Sequence, residues 1–201
     1  MKAMMLGLAV AALTAPGIAQ QTTGAAAGNF RLTDMAGRNV ALSDYKGKTV
    51  VLEWHNPGCP FVRKHYDSGN MQRTQAAATA GGAVWLTINS GAPGKQGNMT
   101  PAEAQAQFAK DGSKATRYLL DPRGVVGKGY GAKTTPHLYI IDPAGKLVYQ
   151  GGIDDKPTAN AGDIAGARNH VTAALAEMKA GEPVSVAESR PYGCSVKYPE
   201  S

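Results

Sequence analysis

Val51-Leu-Glu-Trp-His-Asn-Pro-Gly-Cys-Pro-Phe-Val-Arg-Lys-His-Tyr66 changes its period halfway along. Thr49 to Trp54 is mostly apolar and contains β-branched residues, which predicts a buried central strand ending near His55. Asn56-Pro-Gly58 is turn chemistry. From Cys59-Pro60 the spacing turns helical to about Ala80, with a break predicted at Ser68-Gly-Asn70. Proline suits the first helical position, where the missing N–H would have no helical acceptor. Cys59 therefore falls at a helix N-terminus, where unpaired N–H groups and the positive dipole end favour thiolate over thiol. Thiolate is the reactive form, so this position reads as a nucleophile rather than a buried structural cysteine.

Outward from this centre the same logic sets the architecture. Upstream, Phe30-Arg-Leu-Thr33 and Asn39-Val-Ala-Leu42 flank Asp34-Met-Ala-Gly37 and predict a hairpin. Downstream, Ala83-Val-Trp-Leu-Thr-Ile88 reads as a second buried strand. Thr100-Pro-Ala-Glu103 is a capping box opening a helix to about Lys110. Tyr118-Leu-Leu120 is a short strand, and Asp142-Pro-Ala-Gly145 joins two more strands in a hairpin. From Asp163 apolar residues recur at helical spacing until Gly181. The order predicts an α/β fold: a mixed central sheet with helices on both faces. An N-terminal β-hairpin extension precedes it and a C-terminal tail follows.

The 201 residues, 43% hydrophobic and 18% charged, suffice for one domain. Residues 1–19 carry Lys2, a short apolar run and small residues before Ala19, the pattern of a secretory signal. The run is too short to span a bilayer, so no stable membrane insertion is expected after cleavage. Residues 20–29 read as a flexible leader, 30–180 as the domain and 181–201 as a tail holding Cys194. The formal charge of +6 is dispersed and aromatic residues are 6%, which argues against nucleic-acid binding. With Cys59 and Cys194 the only cysteines, a disulfide-rich scaffold and a four-cysteine zinc site are excluded. No cofactor is expected, and the periplasm is the expected compartment.

Glu53-Trp-His-Asn-Pro-Gly-Cys59-Pro-Phe-Val62-Arg-Lys64 resembles the active-site segment of thioredoxin-fold proteins. The lead-in from Thr33 to Leu52 is similar to that of the redoxin group, the alkyl hydroperoxide reductase and thiol-specific antioxidant relatives. Thr134-Thr-Pro136-His-Leu-Tyr-Ile-Ile-Asp142 resembles the thioredoxin segment whose proline is cis. Pro191-Tyr-Gly-Cys194-Ser-Val-Lys-Tyr198 resembles the ending of a peroxiredoxin-like subgroup with one active-site cysteine. The resemblance implies a thioredoxin-like fold over about 30–180. It also implies Glu53 as a buried carboxylate that takes up a proton during exchange, and a cis Pro136 that leaves the backbone of Thr135 open to a substrate segment. Asn56, His55 and Pro60 join Thr135 and Pro136 around the expected substrate site. Two departures stand out: Val62 where thioredoxins have a second cysteine, and Asn56 where peroxiredoxins have Thr or Ser.

The expected function is an exported thiol oxidoreductase acting through Cys59 on disulfides or peroxides, with an external thiol as reductant. The alternative is a non-catalytic thioredoxin-fold binder or a metal or partner chaperone, which Val62 favours. His55 and His137 are expected as polar rim residues, with a metal site shared with Cys59 as the other reading. His65 and His170 are expected on solvated helix surfaces. For Cys194 three readings stand: a reversible bond to Cys59, an inert structural bond, or a free thiol packing the tail.

Overall fold

The structure, a computed structural model, describes residues 21–200, so the expected signal segment lies outside the described residues. Its central strand, β3, is Val50–Trp54, with every residue buried. Val50, Leu52 and Trp54 enter one core, and Val51 enters the other, as strand alternation demands. Glu53 is in step with Val51 and so faces the second core, the side on which Cys59 and Val62 pack.

The hairpin strands β1 (Arg31–Asp34) and β2 (Asn39–Ala41) lie at one side of a seven-stranded mixed sheet. β4 (Val84–Asn89) and β5 (Arg117–Leu120) run parallel with β3, and β7 (His137–Ile141) and β8 (Leu147–Gly151) continue it antiparallel. The sheet order is β2-β1-β5-β4-β3-β7-β8.

Helix α1 (Pro60–Asp67) follows Cys59, and α2 (Asn70–Ala80) follows the break at Gly69, whose φ of 72° only glycine takes readily. α3 (Pro101–Lys110) opens on the expected capping box: Glu103 N–H donates to Thr100 Oγ1, and Thr100 N–H donates to Glu103 Oε2 at 2.7 Å. A short helix, α4 (Val125–Tyr130), precedes a separate two-residue strand, β6 (Thr134–Thr135). Among the described residues no helix is long and apolar enough to cross a membrane.

Two expectations need correction. The helix expected from Asp163 begins only at His170: residues Ala161–Gly166 form a 3-10 helix, and α5 is His170–Lys179. Docking decides this, because Asn169 bridges to Asp154 and His170 N–H donates to Ile153 O at 2.9 Å. Asn169 is left in an extended conformation, with its side chain capping Thr172 N–H. The flexible leader is not free from Gln21 on. Gly24 N–H donates to Leu147 O and Ala27 N–H to Gly145 O, both at 2.8 Å, covering part of the exposed edge of β8.

The tail, too, is built into the fold. Ser189 N–H donates to Gln150 O at 3.1 Å, further along the same edge. Cys194–Ser195 then form strand β9, antiparallel to β6, and Val196 enters the first core.

Candidate active site

Cys59 is the N-cap of α1, with φ of −88° and ψ of 122°, and Pro60 stands in the first turn. The turn before it is shaped by Asn56, whose Oδ1 accepts from Gly58 N–H at 2.9 Å and whose carbonyl accepts from Cys59 N–H at 3.0 Å. Asn56 thus builds the turn that presents the thiol. Cys59 itself is 0% exposed.

What covers it comes from two distant segments. The Thr135–Pro136 bond is cis, and Thr135 O lies 3.1 Å from Cys59 Sγ. Across β6, Thr135 pairs with Cys194. Cys194 Sγ lies 2.7 Å from Cys59 Sγ, with both cysteines unbonded. The tail therefore occupies the backbone edge that the sequence resemblance assigned to a substrate segment. Gly193 makes the approach possible: its φ is 128°, and a Cβ there would sit 2.1 Å from Thr135 O.

The two thiols are not equivalent. Burial by itself raises the Cys59 pKa. Hydrogen bonds from Cys194 S–H, the Thr135 hydroxyl and the N–H groups of Val62 and Cys194 outweigh it, so Cys59 is held below the ordinary thiol value. Cys194 is pushed up to about 11 by burial, by donating to Cys59 and by facing its charge, with Lys197 opposing. The arrangement makes Cys59 the more readily ionised member of the pair and Cys194 the one that keeps its proton.

Glu53 is 0% exposed, and four donors reach its two oxygens. Tyr66 OH donates to Oε1 at 2.8 Å; Trp85 Nε1, Gln75 Nε2 and Thr87 Oγ1 donate to Oε2 at 2.7, 3.0 and 3.1 Å.

The histidines depart from expectation. His55 is buried, not on the rim. Its Nδ1 lies 2.8 Å from Tyr118 OH and its Nε2 lies 3.6 Å from Asp111 Oδ2. The reason is local: strand alternation and the parallel pairing of β3 with β4 carry His55 into a polar pocket, where its N–H bonds Ile88 O. Burial would raise Asp111, but the neighbouring His55, Gln107 and Arg63 groups hold it at about 2. Arg63, four residues past Cys59, bonds Asp67 and Asp111.

His137 is buried beside Lys133 and Tyr139, and burial, with Lys133 adding to it, pushes it down to about 3. His55 and His137 thus have other neighbours than Cys59. Among the described residues no three His, Cys, Asp or Glu side chains are grouped to hold a metal. His65 is also buried rather than solvated, because the tail packs over α1 and brings Tyr192 onto it. His170 is half-buried at the start of α5. Sequence reasoning missed the group around His65: Lys64, Asp154 and Tyr192. In the sequence Tyr192 stands out only as part of the motif around Cys194. Its place two residues before Cys194 was the available signal.

Comparison with known proteins fits this architecture. An uncharacterized conserved protein from Geobacillus kaustophilus is 28% identical, with a TM-score of 0.75 over 94% of this chain and 100% of that one. A hypothetical protein from Sinorhizobium meliloti is 23% identical, with a TM-score of 0.74 over 90% and 97%. The thioredoxin domain of a thiol-disulfide oxidoreductase from Bacteroides vulgatus is 23% identical, with a TM-score of 0.53 over 65% and 89%. The fold is thioredoxin-like. No curated protein matches the chain. The AhpC/TSA family model matches residues 23–150, from the β8-edge segment through the Cys59 turn and the cis proline into β8, and the chain belongs to the AhpC/TSA family.

Proposed function

We propose that this protein is a thiol oxidoreductase that cycles between a Cys59/Cys194 dithiol and a bond between the same two sulfurs. The observation that carries the reading is the asymmetric pair: a thiolate-favouring Cys59 at a helix N-terminus with the Cys194 thiol 2.7 Å away. Cys194 takes the place of the second cysteine that Val62 removes. In the reaction, Cys59 thiolate attacks one sulfur of a substrate disulfide and the other sulfur leaves as thiolate. The Cys194 proton passes to that leaving group. Cys194 then attacks Cys59 Sγ and expels the second substrate thiol, so substrate gains two electrons and the pair loses two. Two equivalents of an external thiol, which leave as their own disulfide, restore the dithiol.

Disulfides are favoured over peroxides as substrates. Arg63 is engaged by two carboxylates, so it does not supply a free guanidinium beside the thiolate. A structure named as a putative thiol:disulfide interchange protein from Chlorobium tepidum, 27% identical with a TM-score of 0.52 over 64% of this chain and 84% of that one, points the same way. The tail motif keeps kinship with the peroxiredoxin-like subgroup as part of the proposal. Glu53 is assigned to holding Tyr66, Gln75, Trp85 and Thr87 in place, as the buried acceptor that all four share. The signal-like residues 1–19 support action in the periplasm.

The test is stoichiometric oxidation of the full chain by a small disulfide and, separately, by hydrogen peroxide, followed by non-reducing peptide mapping. The expected product is a Cys59–Cys194 linked peptide, formed faster with the disulfide. Cys194→Ser traps a mixed disulfide on Cys59, and Cys59→Ser abolishes turnover. Full activity in Cys59→Ser, or two thiols that stay free after oxidation, would sink the reading.

A further inference from the structure

Behind the thiol pair lies a buried polar chain that thiol exchange does not itself require. Tyr192 is 8% exposed, and its hydroxyl donates to Asp154 Oδ1. The Tyr192 hydroxyl oxygen also lies 3.1 Å from His65 Nε2. Asn70 Nδ2 donates to His65 Nδ1 at 2.9 Å, which leaves the proton on Nε2 and makes the ring a donor to Tyr192. The donors therefore all run one way, from Asn70 through His65 and Tyr192 to Asp154. Burial, helped by Lys64 and opposed by Asp154, pushes His65 down to about 4, so the ring is neutral at neutral pH. The Lys64 ammonium lies 5.5 Å from the Tyr192 ring centre and 3.8 Å from Asp154 Oδ2.

Tyr192, a link of this polar chain, stands two residues before Cys194. Gly193, the one residue between them, packs directly on Thr135, where a Cβ would sit 2.1 Å from the carbonyl oxygen. Where the Tyr192 hydroxyl is held thus sets where the Cys194 sulfur stands.

We propose that Tyr192 is a positioning residue for thiol exchange, its hydroxyl clamped between Asp154 and His65 so that the reduced tail already presents Cys194 to Cys59. The proposal rests on the dithiol reading above. Without the clamp, the reduced tail has more conformations to lose when the Cys59–Cys194 bond closes, while the bonded form is held by the bond itself. The effective concentration of Cys194 at Cys59 then falls.

The experiment equilibrates the full-length protein and its Tyr192→Phe variant with reduced and oxidised glutathione and measures the closure constant. Thermal unfolding is followed in both redox states. Removing one hydroxyl bonded to a buried carboxylate is expected to lower the closure constant roughly tenfold. Reduced protein should also lose more thermal stability than oxidised protein. A hydroxyl that only stabilises the fold would lower both forms alike and leave the constant unchanged, and that result overturns the proposal. Tyr198→Phe is the control: its hydroxyl bonds Ala132 O on the other side of Cys194, without the charged chain. A change in Tyr198→Phe as large as in Tyr192→Phe also counts against a specific role. If Tyr192→Phe does not fold, Asp154→Asn, which keeps an acceptor, should shift the constant in the same direction by less. An unchanged constant there overturns the proposal. A wild-type protein that forms no Cys59–Cys194 bond defeats the dithiol reading itself, whereas unchanged variants defeat only the positioning role.

Discussion

Cys59 shows how a single residue can be buried and still favour the charged form. Burial opposes thiolate, but the helix N-terminal N–H of Val62, the Thr135 hydroxyl and the Cys194 thiol all donate to it. The two sulfurs should therefore titrate as a pair, with the lower step carried by Cys59 and the upper near 11 by Cys194. Followed by thiolate ultraviolet absorbance, the lower midpoint is expected below the free-cysteine value of about 8.5. Exchange rate rises with pH through that step and is lost as pH falls below it, because protonation removes the nucleophile. Cys194→Ala deletes one donor and should move the midpoint up. A midpoint that does not move would mean that Cys194 contributes nothing to the thiolate.

Among the elements, α1 and β7 each carry a buried neutral histidine. His65 is pushed down to about 4 and His137 to about 3, in both cases chiefly by burial. In the unfolded chain both titrate near about 6.5. Unfolding therefore takes up protons below that value. The stability that these neutral rings allow is whole above about pH 6.5 and is lost progressively as pH falls toward 4 and 3. Urea unfolding at pH 7 and pH 5 is expected to show a clear loss at pH 5, and His137→Gln should reduce the difference. Equal stability at both values would mean that the rings are protonated in the fold. Helix α5 carries a different lesson. Its apolar spacing extends back to Asp163, yet its start is set by Asn169 docking on Asp154, and that cap is worth about 1 kcal/mol.

At the scale of the whole molecule, the tail is tied down on both sides of Cys194. Tyr192 is clamped on α1, Val196 N–H donates to Lys133 O at 3.1 Å, and Tyr198 packs against Gly124 and Gly127 with its hydroxyl on Ala132 O. The candidate site around Cys59 is thus closed by a segment 135 residues away in sequence. Deleting residues 187–201 should open Cys59 to solvent and remove the thiol that resolves its oxidised form. Intact mass after excess peroxide is then expected to show Cys59 as sulfinic acid in the truncated protein and as a bond to Cys194 in the full chain. The truncated protein should also melt earlier, since Val196 leaves the first core. Resistance of the truncated protein to overoxidation would mean that the tail does not guard Cys59.

Much of this could be read before any fold was known, because local rules govern it. Val50 to Trp54 had to be a buried strand, Pro60 had to open a helix, and Cys59 had to stand at its N-terminus. Thr100 and Glu103 named their own cap, and Gly69 its own break. These signals sit within a few residues of what they determine. The sequence could name Cys194 as the sole other thiol but could not choose among its possible fates. That choice follows from β6 pairing with β9 and from Gly193 letting the two backbones meet. The burial of His55, His65 and His137, the donors gathered on Glu53, and the clamp on Tyr192 were likewise decided by tertiary structure. Each depends on groups far apart in the chain, and neither hydrophobic period nor turn chemistry records which distant side chain will face another across a packed layer.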